Sequence, residues 1–199
     1  MKKPIIYQML PRLWGNQTTL LEKNGDLSTN GTGKFANIDT ETFDYLKSLG
    51  ISHIWYTGII RHATRSNTEG CVPSSSEWVK GIAGSPYSIT DYYDVNPYLA
   101  TDPAKRMEEF EDLVKRTHEA GLKVIIDFVP NHVARDYGQF SPQPIIDGKD
   151  ADGHSVLGAN DDSSTGWKEE NDFFYYPGEY LQLPDSAIQK SGHKKQGYV

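Results

Sequence analysis

Twice in this chain an amphipathic helical pattern stops at a glycine and an apolar, β-branched run follows directly. The first helix is expected from Thr40 to about Leu49, with Asp39 or Thr40 as N-cap and Phe43 and Leu46 on one face. Gly50 stops it, and Ile51–Thr57 reads as a strand. The second helix opens at Asp102-Pro103, with proline at its first position and Met107, Phe110, Leu113 and Val114 as its buried stripe. Gly121 closes it, and Lys123–Phe128 reads as a strand. Val124 to Ile126 are continuously apolar there, as a parallel strand covered on both faces should be. Ile5–Leu10, ended by Pro11, supplies one strand more, ahead of the first helix. Alternating β and α elements with apolar strands specify an α/β fold with a parallel sheet and right-handed crossovers.

The connections are long. Gly15–Asn37, with Asn24-Gly25 and Asn30-Gly31, reads as a loop with tight turns. Gly58–Thr101 exceeds an ordinary connector and is expected to be functional or mobile. From Val133 onward the chain turns to Asp, Gly, Ser, Tyr and Pro without helical period, which reads as an irregular insertion. Residues 1–132 and 133–199 therefore form two expected regions.

Composition removes several function classes. A formal net charge of −7 opposes phosphate-backbone binding, so neutral substrates fit better than nucleic acid. The one cysteine, Cys71, excludes an internal disulfide framework and a Cys-rich metal site, and reads as a loop thiol. No run reaches the roughly 18 apolar residues of a membrane span. Lys2 and Lys3 precede an apolar run, but Gln8, Pro11 and Arg12 interrupt it and no small-residue cleavage site follows, so no signal peptide is read. Localisation stays open.

The string Asp127-Phe128-Val129-Pro130-Asn131-His132 stands where a buried parallel strand ends. In parallel α/β barrels, polar side chains at such ends line the active mouth. Position alone leaves two readings open: a functional cluster, or Asp127 capping the strand end with His132 as a hydrogen-bonded loop residue.

This string, preceded by Gly121-Leu122-Lys123-Val124-Ile125-Ile126, resembles the first conserved region of the α-amylase family of glycoside hydrolases. Ser85-Pro86-Tyr87-Ser88-Ile89-Thr90-Asp91-Tyr92-Tyr93-Asp94-Val95 resembles the family's segment before the same helix. Ile6–Arg12 and Ile54–Gly58 resemble its first two strands. The resemblance implies a partial TIM (β/α)8 barrel: the first three strands with their helices, plus the start of the irregular domain inserted after strand three. It implies that His132 hydrogen-bonds the sugar being cleaved, that Tyr87 stacks on that ring, and that Asp127 supports the site. For Tyr87 taken alone, core packing is the competing reading. Asn131 matches a residue that ligates a structural calcium ion in many members, a hard oxygen ligand for a hard cation. Its partners would come from the insertion, among Asp161, Asp162, Glu169 and Asp172. The glycine before the family's tyrosine is Pro86 here, which can bend the backbone differently.

The expected activity is retaining hydrolysis of α-1,4-glucans such as starch and maltooligosaccharides. A retaining glycosidase needs two carboxyl groups about 5–5.5 Å apart. In the family these come from later strands, and no Gly-Phe-Arg-x-Asp-like string occurs, so this chain alone is expected to be inactive. The alternatives are an α-1,6-glucosidase or transglycosylase of the same family, or a non-catalytic sugar-binding or accessory relative. The aromatic cluster Trp167, Phe173, Phe174, Tyr175, Tyr176 and Tyr180 is expected mainly to pack the insertion, with stacking on further glucose units as the alternative. His53 and His118 read as packing or surface residues.

Overall fold

A computed structural model of the protein describes residues 3–19, 21–67, 72–76, 79–134, 136–137 and 160–178. Cys71, Tyr180 and most of the expected insertion lie outside these residues. Strand β1 (Ile6–Met9) leads through a short helix α1 (Leu27–Asn30) to helix α2 (Thr40–Ser48) and strand β2 (His53–Tyr56). Asp39 caps α2 by accepting from the Thr42 backbone N–H at 3.0 Å, and Gly50 ends it with φ +78°. Phe43 and Leu46 are buried, as the spacing requires.

The segment expected as one long loop instead holds two strands. β3 (Ile60–His62) and β4 (Ile89–Val95) form an antiparallel ribbon whose register shifts on both sides of Arg61. It was hidden in the sequence because its buried positions include Arg61, His62 and Asp94, side chains that read as loop until they are paired. Helix α3 (Arg106–Glu119) follows a 3₁₀ turn at Pro103–Lys105, so proline opens the turn and not the α-helix itself. Strand β5 (Lys123–Ile126) completes the elements.

β1, β2 and β5 form a parallel sheet in that order, with Met9, Tyr56 and Ile126 in one row and Gln8, Trp55 and Ile125 in the next. Neighbouring rows face opposite sides. Tyr56 faces the helices, and its hydroxyl lies 2.8 Å from the Thr117 hydroxyl on α3. Gln8 and Trp55 occupy the opposite face.

Two expectations about burial are corrected. β5 is not covered on both faces: Ile126 is 43% exposed, because β5 is an edge of the sheet among the described residues. In α3, Leu113 is buried, Phe110 and Val114 are half-buried, and Met107 is 38% exposed. Leu113 and Phe110 pack on the core, and guanidiniums add to their hold on the helix. Arg106 Nε reaches Asp94 Oδ1 at 2.6 Å, and Arg116 donates to the Ile38 and Phe35 carbonyls. Among the described residues no helix is long and apolar enough to cross a membrane.

Candidate functional site

Asp127 continues β5 by one residue and sits on the face opposite the helices, two positions beyond Ile125. Its carboxylate is held on both oxygens. Trp55 Nε1–H donates to Oδ1 at 2.5 Å, and the Gly58 backbone N–H donates to Oδ2 at 3.2 Å. Both donors belong to β2 or the turn after it, so the pairing of β2 with β5 aligns them. A carboxylate with both oxygens engaged is oriented more than it is available to attack, which suits a supporting role. Beside it, Gln8 Nε2 donates to the Thr57 hydroxyl at 2.8 Å, tying the ends of β1 and β2.

Gly58 also admits the chain that carries Tyr87. Its φ is +74°, and a Cβ there would lie 3.0 Å from the Pro86 Cβ and 3.3 Å from Leu10 Cδ1. Pro86, the departure noted in the sequence, is thus seated where Gly58 has no side chain. Tyr87 follows it and is 45% exposed. This exposure excludes core packing for Tyr87.

Asn131 and His132 are both exposed. Asn131 Nδ2 lies 3.2 Å from His132 Nδ1. When Nδ1 accepts this amide proton, the neutral ring carries its own proton on Nε2, a donor facing away from Asn131. Two bonds hold this loop to β4: the Tyr92 hydroxyl donates to the Val129 carbonyl, and the Ala134 N–H donates to the Ile89 carbonyl at 2.7 Å. The segments bearing Tyr87 and His132 are therefore joined. Among the described residues, though, no hydrogen bond or ring contact links those two side chains to each other.

Behind the mouth lies a buried polar network that the sequence did not disclose. Asp94 binds Arg61 at 2.7 Å and Arg106 at 2.6 Å, fixing the ribbon to α3. His62 lies beneath it with Nε2 3.0 Å from the Tyr98 hydroxyl and Nδ1 2.5 Å from Asn96 Nδ2. Burial, aided by the Arg12 charge, lowers its pKa from 6.5 to about 4 against opposing bonds to backbone carbonyls.

Two of the four expected calcium partners, Asp161 and Asp162, carry hydrogen bonds within their own segment. Asp161 accepts from the Asp172 and Phe173 N–H groups and the Tyr175 hydroxyl, and Asp162 accepts from Ser164 and lies 3.5 Å from Lys168. Among the described residues no group of three or more His, Cys, Asp or Glu is arranged to hold a metal ion.

The aromatic cluster divides by exposure, against the expectation that most of it packs. Phe173 and Tyr175 are half-buried, whereas Trp167, Phe174 and Tyr176 are 69%, 52% and 52% exposed.

The chain is 30% identical over 139 residues to the trehalose-6-phosphate hydrolase of Bacillus subtilis (strain 168), covering 70% of this chain and 19% of that protein. It is 27% identical over 147 residues to the amino acid transporter heavy chain SLC3A1 of Mus musculus, covering 74% of this chain and 16% of that one. A crystal structure of an α-amylase from Lactobacillus plantarum aligns at 27% identity and TM-score 0.47, over 67% of this chain and 24% of its own. The chain thus spans less than a third of each of these proteins. Residues 22–189 match the α-amylase catalytic domain, and the chain belongs to the α-amylase family.

Proposed function

We propose that this chain is the sugar-facing front of a retaining glycoside hydrolase acting on α-1,4-glucans, built as the first three strands of a (β/α)8 barrel with the start of its inserted domain. The observation that carries the reading is the strand-end assembly. Asp127 is clamped by Trp55 and Gly58, and Asn131 and His132 follow it on a loop tied to the segment that presents Tyr87. In this reading the exposed ring of Tyr87 takes the apolar C–H face of a pyranose. His132 Nε2–H donates to a sugar hydroxyl, a bond that strengthens as the ring distorts toward an oxocarbenium ion.

The chain alone leaves the bond intact, because the nucleophile and general acid of a retaining mechanism are not among the residues assigned here. The test is reducing-sugar release from soluble starch by the gene product extending past Val199, with this chain as control. Release by the long form alone supports the proposal. Release by this chain refutes its inactivity, and silence from a folded long form refutes the α-1,4-glucan assignment. Activity on pullulan or isomaltose in place of maltoheptaose would move the assignment to α-1,6 bonds. Similarity to a transporter heavy chain favours one further reading, a non-catalytic relative. That reading requires a folded long form to release no reducing sugar from any α-glucoside tested, whether or not it binds maltooligosaccharide.

A further inference from the structure

Two Asn-Gly pairs, Asn24-Gly25 and Asn30-Gly31, stand in the segment between β1 and α2, and the fold treats them differently. Asn24 is the single non-glycine residue with positive φ, +63°, among the described residues. Asparagine is one of the few side chains that enters this region at low cost. Asn24 is exposed, and its carboxamide makes no hydrogen bond among the described residues.

Asn30 uses both ends of its carboxamide. Its Oδ1 accepts from the Glu22 N–H at 2.8 Å, and its Nδ2 donates to the Glu22 carbonyl at 2.9 Å and reaches the Gly25 carbonyl at 3.4 Å. The Gly31 N–H donates to the Leu27 carbonyl at 3.0 Å and closes the last turn of α1. The Gly25 N–H donates to the Glu22 carbonyl, also at 3.0 Å, but Glu22, Lys23 and Asn24 are all exposed, so this single turn opens to solvent at small cost. Glycine is required after Asn24, because a Cβ on Gly25 would lie 2.6 Å from Asn30 Oδ1 and 2.8 Å from its Cγ. The contacts that shield Asn30 therefore keep beside Asn24 the one residue type whose nitrogen no side chain screens.

We propose that Asn24 is a site of spontaneous covalent modification, deamidation through a succinimide, and that the fold protects Asn30 from the same reaction. The Gly25 nitrogen, losing its proton to solvent base, bonds to the Asn24 side-chain carbon Cγ, and the carboxamide nitrogen leaves as ammonia. Water then opens the ring. Breaking the new Cγ–N bond leaves aspartate at position 24, whereas breaking the bond from the position-24 backbone carbonyl to that nitrogen leaves isoaspartate, with the chain rerouted through Cγ. Water enters, ammonia departs, and nothing is oxidised or reduced. Either product adds one negative charge between Glu22 and Asp26, and isoaspartate also lengthens the backbone where Gly25 abuts the Asn30 side chain.

Storage of the full 199-residue chain in mildly alkaline buffer, followed by trypsin and tandem mass spectrometry, tests the site. Cleavage after Lys23 and Lys34 releases one peptide carrying both asparagines, and fragment ions show which has exchanged its amide for a carboxyl group. Freshly purified chain digested in parallel subtracts conversion during digestion, and circular dichroism checks that the stored chain keeps its fold. In the folded chain Asn24 should convert about tenfold faster than Asn30, whose hydrogen bonds must open before attack. In urea the two rates should converge. Asn24→Gly, which suits the left-handed turn, should abolish the acidic band that accumulates on isoelectric focusing of the stored wild type. Equal rates in the folded chain would mean that the turn shields both residues alike, and a contrast that persists in urea would mean that neighbouring sequence sets it; either result overturns the proposal.

Discussion

Acidification should unload stability from one imidazole. His62 is 5% exposed, on β3, and is enclosed by the Asn96 amide, the Tyr98 hydroxyl and the Ile60 carbonyl. The cationic groups around it are Arg12 and its neighbour Arg61, and the Asp94 carboxylate of β4 is already bound by Arg61 and Arg106. A protonated ring would lie buried without a counter-ion, which is why its pKa falls to about 4. The unfolded chain protonates the same ring near 6.5 and so binds more protons than the native state between these values. The contribution is fully present above 6.5 and is lost as pH falls toward 4. At about 1.4 kcal/mol per pH unit, it amounts to about 3 kcal/mol. Urea denaturation of the wild type and of His62→Gln, from about pH 7 to about pH 4, isolates it, because subtraction cancels every other titrating group. The lowered carboxylates Asp26, Asp39 and Asp162 begin to lose their contribution only at the acid end of the window, and equally in both proteins. The wild type should lose about 3 kcal/mol more than the variant across the window. Parallel curves would refute the reasoning.

Asp94→Ala removes the carboxylate shared by two guanidiniums and should cost about 3–5 kcal/mol, read as a lowered urea midpoint; a loss under about 1 kcal/mol contradicts the network. Gly84→Ala should cost at least about 2 kcal/mol, since φ is +65° and the new Cβ would fall 1.8 Å from the Ala63 carbonyl oxygen; an unchanged melting temperature would count against the ribbon's packing. Gly58→Ala should cost about 1–2 kcal/mol and, by displacing Pro86, weaken maltoheptaose binding about tenfold, measured by NMR titration; equal affinity would detach Tyr87 from the site. Sedimentation should show this chain self-associating or melting without cooperativity, because both sheet edges are open among the described residues; a compact, cooperatively melting monomer would oppose this.

What the sequence disclosed follows the range of the forces involved. Helix α2 was legible because Asp39 and Gly50 act on groups within four residues of themselves. The parallel α/β sheet followed from apolar runs alternating with helical patterns, and its strand order came from the structure. The β3–β4 ribbon was not legible, because Arg61, His62, Asp94 and Asn96 become interior residues only through one another. The positions of Asp127, Asn131 and His132 were readable from where a strand ends. The clamp on Asp127 was not, since its donors stand 72 and 69 residues away. Pro86 looked like a local departure until the missing Cβ of Gly58 was seen beside it.

The distribution of finished and unfinished contacts divides the site. Ile54 and Tyr56 on the central strand are fully covered, whereas Ile6 on β1 and Ile126 on β5 are 49% and 43% exposed at the two edges. Asp127 nevertheless has both oxygens bound, because its donors come from the one neighbour that β5 already has. The floor of the mouth therefore depends on a single strand pairing and should keep its geometry whether or not the sheet extends. Tyr87 and His132 stand differently: both are exposed, and their segments are joined through β4, by Tyr92 and the Ile89 carbonyl, and not through the two side chains themselves. Their relative position is the part of the site that remains free to be set by whatever covers the open edges and by the sugar itself. The Asp127 support is pre-organised in this chain, and under the proposed function Tyr87 and His132 align on the sugar.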